Sequence, residues 1–275
     1  MAEIVGVFAT SHTPVMNNMP DAPGAELRDA AFAQFTRVGE EIGALRPDAV
    51  VLISNDHLHN FFLDNMPAYC IGIAPSYPSP VEGWLKVVKQ VLPGDATLGA
   101  HILGEVIENG FDPAFSMELT LDHGMMTPLD LAGLAGQHPV VPIMVNAVQP
   151  PMPSMRRSLA LGAALRAAIT SYTGAERVAV LATGGLSHDV GTPRMGRLNE
   201  EFDRGFLSRL EQGGGEAVAD FSRENVNTAG NGAEEVRNWL IAHAIAECAP
   251  FETYYYHPMT QWYTGIALGR WRLAA

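Results

Sequence analysis

Four histidines stand where apolar runs break into polar turns: His12 in SHTP, His57 and His59 after AVVLISND, and His188 after VAVLATGGLS. A fifth, His123, sits in LDHGMMTPL, and an acidic pair, Glu234 and Glu235, opens the helix-like segment GNGAEEVRNWL. Two neutral imidazoles and one carboxylate on a single face form a ligand set that holds a divalent metal while leaving positions open, the arrangement used by non-haem Fe(II) oxygenases. His12 and His57 supply the imidazoles, and either Glu234 or Glu235 supplies the carboxylate. Glycines flank His123 and His188, which suits close backbone approach, and histidine is the side chain best placed to exchange protons near neutral pH. These two are candidate acid/base groups. Asp56 is adjacent to His57 and either accepts from a ligand or caps the turn, His59 reads as a solvated loop residue, and His101, His138 and His243 have no partner pattern.

Chemistry of this kind needs elements that bring distant positions together. Runs rich in Val, Ile and Leu predict strands at Ile4–Ala9, Ala49–Ser54, Tyr69–Ala74, Val140–Val145 and Val178–Thr183. Helical periodicity marks Gly24–Leu45, Leu159–Tyr172 and Ala233–Ala246. Alternation of the two predicts a three-layer α/β/α sandwich around a mostly buried mixed sheet, in which strand C-termini share the edge where ligands bind. Prolines make Ile71–Trp84 and QPPMPS non-helical excursions, and Gly213–Gly215 interrupts the helical segment that begins near Asn199.

Composition narrows the function classes. At 275 residues, with 47% hydrophobic and 17% charged side chains and no linker-like tract, residues 1–275 read as a single catalytic domain. Cys70 and Cys248 lack CxxC or CxxH spacing, so a metal must use imidazole and carboxylate. A net charge of −13 argues against a nucleic-acid partner. No apolar run is long enough to span a bilayer and no basic leader opens the chain, which predicts a cytoplasmic protein without membrane partners. Arg156, Arg157, Arg194 and Arg197 are local cations able to attract an anionic small molecule within this repulsive field.

Taken together and in this order, SHTP, PDAVVLISNDH, LDHGMMTPL, TGGLSH followed by PRMGRLNEEFD, and GAEEVRNWL resemble the class III extradiol ring-cleaving dioxygenases. The likeness is to the catalytic (beta) subunit of protocatechuate 4,5-dioxygenase, to gallate dioxygenase and to dihydroxyphenylpropionate dioxygenase. It implies Fe(II) on His12, His57 and Glu235, with His188 as the acid/base and His123 as a further pocket histidine. The implied reaction is extradiol (meta) cleavage of a catechol-type aromatic diol by O2, giving a ring-opened semialdehyde or acid. A homo-oligomer, with or without a small partner subunit, is the implied assembly. PRMGRLNEEFD is closer to the protocatechuate and gallate branch, and the long insertion of the dihydroxyphenylpropionate enzymes is absent, while YYYHPMTQWYTGIAL departs from the protocatechuate enzymes. Phe61, Phe62, Trp262 and Tyr263 are the aromatic candidates near the substrate, and Arg194 is the candidate for a substrate carboxylate. An aminophenol or hydroxypyridine in place of the catechol, a Zn-dependent hydrolase on the same ligands, and a non-catalytic binding protein are the alternatives.

Overall fold

Strands β1 (Glu3–Thr10), β2 (Ala49–Asn55), β3 (Tyr69–Gly72), β7 (Val140–Val145) and β8 (Arg177–Thr183) form where the apolar runs predict them. The structure is a computed structural model that describes residues 1–175 and 177–274. Between these strands lie α1 (Val15–Asn18), α2 (Ala25–Ala44), β4 (Ser76–Ser79), β5 (Gln90–Pro93), α3 (Ala96–Glu108), β6 (Ala114–Ser116), α4 (His123–Leu131) and α5 (Met155–Ser171). After β8 come α6 (Glu200–Gln212), α7 (Gly215–Asn225), α8 (Val236–Ile245), β9 (Phe251–Met259) and β10 (Thr264–Trp271). Gly213, at a φ of 74°, ends α6 where the glycine cluster predicts a break.

The main sheet has the order β6-β3-β7-β2-β8-β1-β10-β9. β7, β2, β8 and β1 run parallel at its centre, whereas β10 pairs with β1 and β3 with β7 in the antiparallel sense. Every residue of β2 and β7 is buried, as expected of strands covered on both faces. The strand period of two sorts them cleanly. Val7, Val51, Ile53, Val180 and Ala182 face the layer of α3, α5, α6, α7 and α8, packing with Leu165, Phe206 and Trp239. Phe8, Val50, Leu52, Ala179 and Leu181 face the opposite layer, packing with Phe35 and Ile42 of α2 and with Met125 of α4. Each large side chain buried here contributes roughly 1.5–3 kcal/mol relative to exposure, and the two faces together hold the three-layer arrangement.

The Ile71–Trp84 segment differs from the loop its prolines predict. β4 and β5 pair as a separate antiparallel ribbon, with Pro78 opposite Val91. A two-stranded ribbon is all edge, and an edge is where proline is tolerated. The β9–β10 hairpin and helix α4 also escape the apolar-run signal, the first because β9 is only half buried and the second because Pro128 interrupts its pattern.

Candidate metal centre

His12 lies two positions beyond the end of β1 and His57 two beyond the end of β2. β2, β8 and β1 are neighbours and parallel, so their C-termini meet at one edge of the sheet. Glu235 arrives from the other direction, at the end of a 3-10 turn over Gly232–Glu235 that leads into α8. His12 Nε2 and His57 Nε2 are 3.3 Å apart. The Glu235 carboxylate is 3.6 Å from His12 Nε2 and 3.4 Å from His57 Nε2. Two donors about 2.1 Å from one ion and at right angles to each other lie about 3 Å apart, so this triangle fits a single divalent cation. Glu234 turns away and pairs with Arg237, whose Nε donates to the Pro153 carbonyl at 2.6 Å. Of the two adjacent acids, only Glu235 faces the imidazoles.

Each of the three groups is oriented by a partner behind it. His57 Nδ1 and the His57 backbone N–H both lie 2.9 Å from Asp122 Oδ2, which leaves Nε2 for the triangle. Burial alone would suppress charge on His57, but the Asp122 and Glu235 carboxylates outweigh it and hold its pKa well above the ordinary value. Both acids are in turn held below the usual carboxylate range: burial opposes this, and His57 for Asp122, His12 first for Glu235, overcome it. A site that retains a proton this firmly has the potential that favours a cation in its place. Asp122→Asn should therefore weaken divalent-metal affinity by about 10–100-fold, read from a Co(II) titration of the metal-free protein. An unchanged affinity would mean that Asp122 serves only as the N-cap of α4, where it also accepts from Gly124 N–H.

His12 is held through a chain that begins with a proline. Pro128 has no N–H to offer the Gly124 carbonyl four residues earlier, and that carbonyl instead accepts from the Thr183 hydroxyl at 2.8 Å. Thr183 Oγ1 is 3.3 Å from His12 Nδ1 and is positioned to accept its proton, which leaves His12 Nε2 as the donor atom. Glu235 accepts from Gly185 N–H at 2.6 Å and from Asn55 Nδ2 at 3.1 Å. Gly184, at a φ of 117°, lets the chain pass there, since a Cβ would stand 2.9 Å from Glu235.

A cavity of about 340 Å³ opens above the triangle. His12, His57, His59, His123 and His188 form its polar floor, and Val15, Trp84, Val190, Met195 and Tyr263 its apolar walls. His188 Nδ1 donates to the Leu186 carbonyl at 2.9 Å, so its Nε2 is the atom left for the cavity. Gly232 makes room for that ring, because a Cβ there would lie 2.0 Å from His188 Nε2. Ser187, next to it, is anchored by Asp203, which accepts from Ser187 N–H and Oγ–H, both at 2.8 Å, and from the Tyr256 hydroxyl at 2.9 Å. Burial pushes the Asp203 carboxyl up to about 6 despite these donors. A value raised on folding means that its stabilising contribution is full below about pH 4 and fades as pH rises through 6. Asp203→Asn should gain on the wild type over that window by at most about 3 kcal/mol, read as the difference between urea midpoints at pH 4 and pH 7; a pH-independent difference would place the Asp203 pKa in the ordinary range.

Several sequence expectations are redistributed by the fold. Tyr263 faces the cavity, but its neighbour Trp262 is fully buried and stacked on Phe32. Phe62 is exposed, and Phe61 lines a separate small cavity with Met66 and Cys70. Arg194 bonds Asp189 at 3.0 Å and lines an adjoining cleft with Arg197. Asp56 is a turn cap, accepting from His59, Asn60 and Phe61 N–H. His59, expected in solvent, lines the cavity and approaches Glu82. His101 and His243 lie elsewhere, bonded to the Ala168 carbonyl and to Trp271. Asp122, Asn55, Glu82 and Trp84 escape sequence reasoning; Asp122 alone carried a signal, as the residue that caps a helix beginning at His123.

Residues 6–267 match the family described as the catalytic LigB subunit of aromatic ring-opening dioxygenase. Similar curated proteins include the 2,3-dihydroxyphenylpropionate/2,3-dihydroxicinnamic acid 1,2-dioxygenases of Mycolicibacterium vanbaalenii, 30% identical over 94% of both chains, and of Rhodococcus rhodochrous, 28% identical over 98% of both. That of Photorhabdus laumondii is 27% identical over 96% of both. These relatives carry the dihydroxyphenylpropionate name. The crystal structure of an uncharacterized protein from Escherichia coli K12 has the same fold, with a TM-score of 0.63 at 13% identity, covering 97% of this chain and 100% of that one.

Proposed function

Because the chain belongs to the family of catalytic LigB subunits of aromatic ring-opening dioxygenases, we propose that it is an Fe(II)-dependent extradiol dioxygenase acting on a catechol-type ring. The observation that carries this reading is the His12–His57–Glu235 triangle at the floor of an apolar cavity that also presents His123 and His188. His12, His57 and Glu235 would hold the iron, which would supply the redox coupling between the aromatic diol and O2 that ring opening requires.

The remaining side chains bind and move protons. His188, with its Nε2 lone pair toward the cavity, takes a hydroxyl proton as the diol binds and returns it as the ring opens to a semialdehyde or acid. His123 accepts a hydrogen bond from the substrate and keeps the ring in register with the triangle. Trp84, Val190, Met195 and Tyr263 pack on the ring faces and exclude water. Protocatechuate, gallate and dihydroxyphenylpropionate share the two adjacent hydroxyls that this floor recognises. They differ in the substituent, which meets the walls.

Oxygen uptake by anaerobically purified, Fe(II)-loaded protein tests the proposal against protocatechuate, gallate, catechol, dihydroxyphenylpropionate, 2-aminophenol and a dihydroxypyridine. Stoichiometric uptake with a ring-opened product spectrum from a diol is the expected result. Uptake with the aminophenol or pyridine alone would change the substrate class, and no uptake with any of them despite bound iron would overturn the reading.

A further inference from the structure

Glu82 is a buried carboxylate to which the proposed chemistry gives no role. It lies between β4 and β5, two residues before the wall residue Trp84, and is 3% exposed. Its Oε1 is 2.6 Å from His123 Nδ1, 3.0 Å from the His123 backbone nitrogen and 3.2 Å from His59 Nε2. Its Oε2 is buried with no hydrogen-bond partner among the described residues. Burying a carboxylate with one oxygen unmatched is unfavourable, so packing of the ribbon does not account for an acid at this position. What the acid does do is define its neighbour. A carboxylate oxygen accepts and does not donate, so the short contact puts the proton of a neutral His123 on Nδ1 and the lone pair on Nε2. The ring itself sits 4.0 Å from that of His57 and edge-on to that of His12 at 5.7 Å, so a modest rotation would carry it into the metal ligands.

We infer that Glu82 is the positioning residue for His123, clamping its backbone and its ring through one oxygen so that an Nε2 lone pair faces the substrate hydroxyl. The placement follows the carboxylate–imidazole logic by which a second group fixes a catalytic histidine's tautomer and plane. The same ribbon connection delivers both this clamp and Trp84, so the segment that the sequence presents as a proline-rich excursion supplies a wall residue of the cavity and the partner of one of its histidines. The effect on turnover rests on the ring-opening reading; the tautomer does not.

The first test is a 15N spectrum of the metal-free, histidine-labelled protein, with His123 assigned by comparison with His123→Ala. We expect a protonated Nδ1 and an unprotonated Nε2 in the wild type, and a redistribution of the proton toward Nε2 in Glu82→Ala. Glu82→Gln, whose amide oxygen can still accept from Nδ1, should keep the wild-type pattern and guards against a Glu82→Ala variant that fails to fold. The second test is kinetic. Glu82→Ala should lower kcat by about tenfold or more with smaller change in KM and with metal content retained, and Glu82→Ala/His123→Ala should be no slower than His123→Ala alone. A proton on Nε2 in the wild type, or multiplicative losses in the double variant, would overturn the inference. So would two cations bound per chain with the second lost in Glu82→Ala, since a cation among His59, Glu82, Asp122 and His123 would take the place of the Nδ1 proton. A wild type that opens no ring refutes the functional proposal but leaves the spectra to decide the role of Glu82.

Discussion

Glu235→Ala should release the divalent cation and abolish oxygen-dependent ring opening, whereas Glu234→Ala should retain both. Glu235 closes a triangle whose other corners would bind a cation as neutral imidazoles, so its removal takes away the one carboxylate of the proposed ligand set. The loss must exceed the roughly 10–100-fold in affinity that removal of an outer partner costs. It also strands the Gly185 N–H that the carboxylate accepts from, and an unpaired buried donor costs about 1–3 kcal/mol. Part of any stability loss will therefore appear in the metal-free protein, and comparing thermal midpoints with and without metal separates that part from the metal's own contribution. Glu234 is the informative control because it is the adjacent residue with the same chemistry, engaged by Arg237 instead. Metal content after desalting, measured beside oxygen uptake, reads the outcome. Retention by Glu235→Ala with loss by Glu234→Ala would reverse the assignment.

His188→Ala is expected to behave in the opposite way, keeping the metal and losing turnover by roughly two orders of magnitude or more. His188 lines the cavity, and its Nδ1 is committed to a backbone carbonyl, which leaves Nε2 unprotonated on a neutral ring. Gly232→Ala offers the same experiment without removing the imidazole. The added methyl group would stand 2.0 Å from Nε2, so the ring must leave its position, and a loss of kcat approaching that of His188→Ala should follow. Metal content distinguishes the readings. A His188→Ala variant that loses its metal would make His188 a ligand, and one that turns over normally would remove it from the proton transfers.

The sequence by itself determined where β1, β2, β7 and β8 lie, because uninterrupted β-branched and aliphatic runs have few other ways to be buried, and the bounds shift by only a residue or so. It also placed His12 and His57 at the same short interval beyond two strands, and the structure brings them to one edge because β1 and β2 both run parallel to β8 between them. Which of Glu234 and Glu235 faces the imidazoles was beyond spacing, since consecutive residues of a tight turn point to different sides, and it is set by the engagement of Glu234 by Arg237, itself held on the Pro153 carbonyl. Adjacent Trp262 and Tyr263 pose the same problem at the cavity wall, and it is resolved by the stacking of Trp262 on Phe32. The partners behind the ligands belong to tertiary structure altogether. Thr183 reaches His12 across 171 positions, Asp122 reaches His57 across 65, and Glu82 reaches His123 across 41. Periodicity records which face of an element is buried, but a hydrogen bond between two loops leaves no period in either of them, and it exists only once the sheet has brought the loops to one edge.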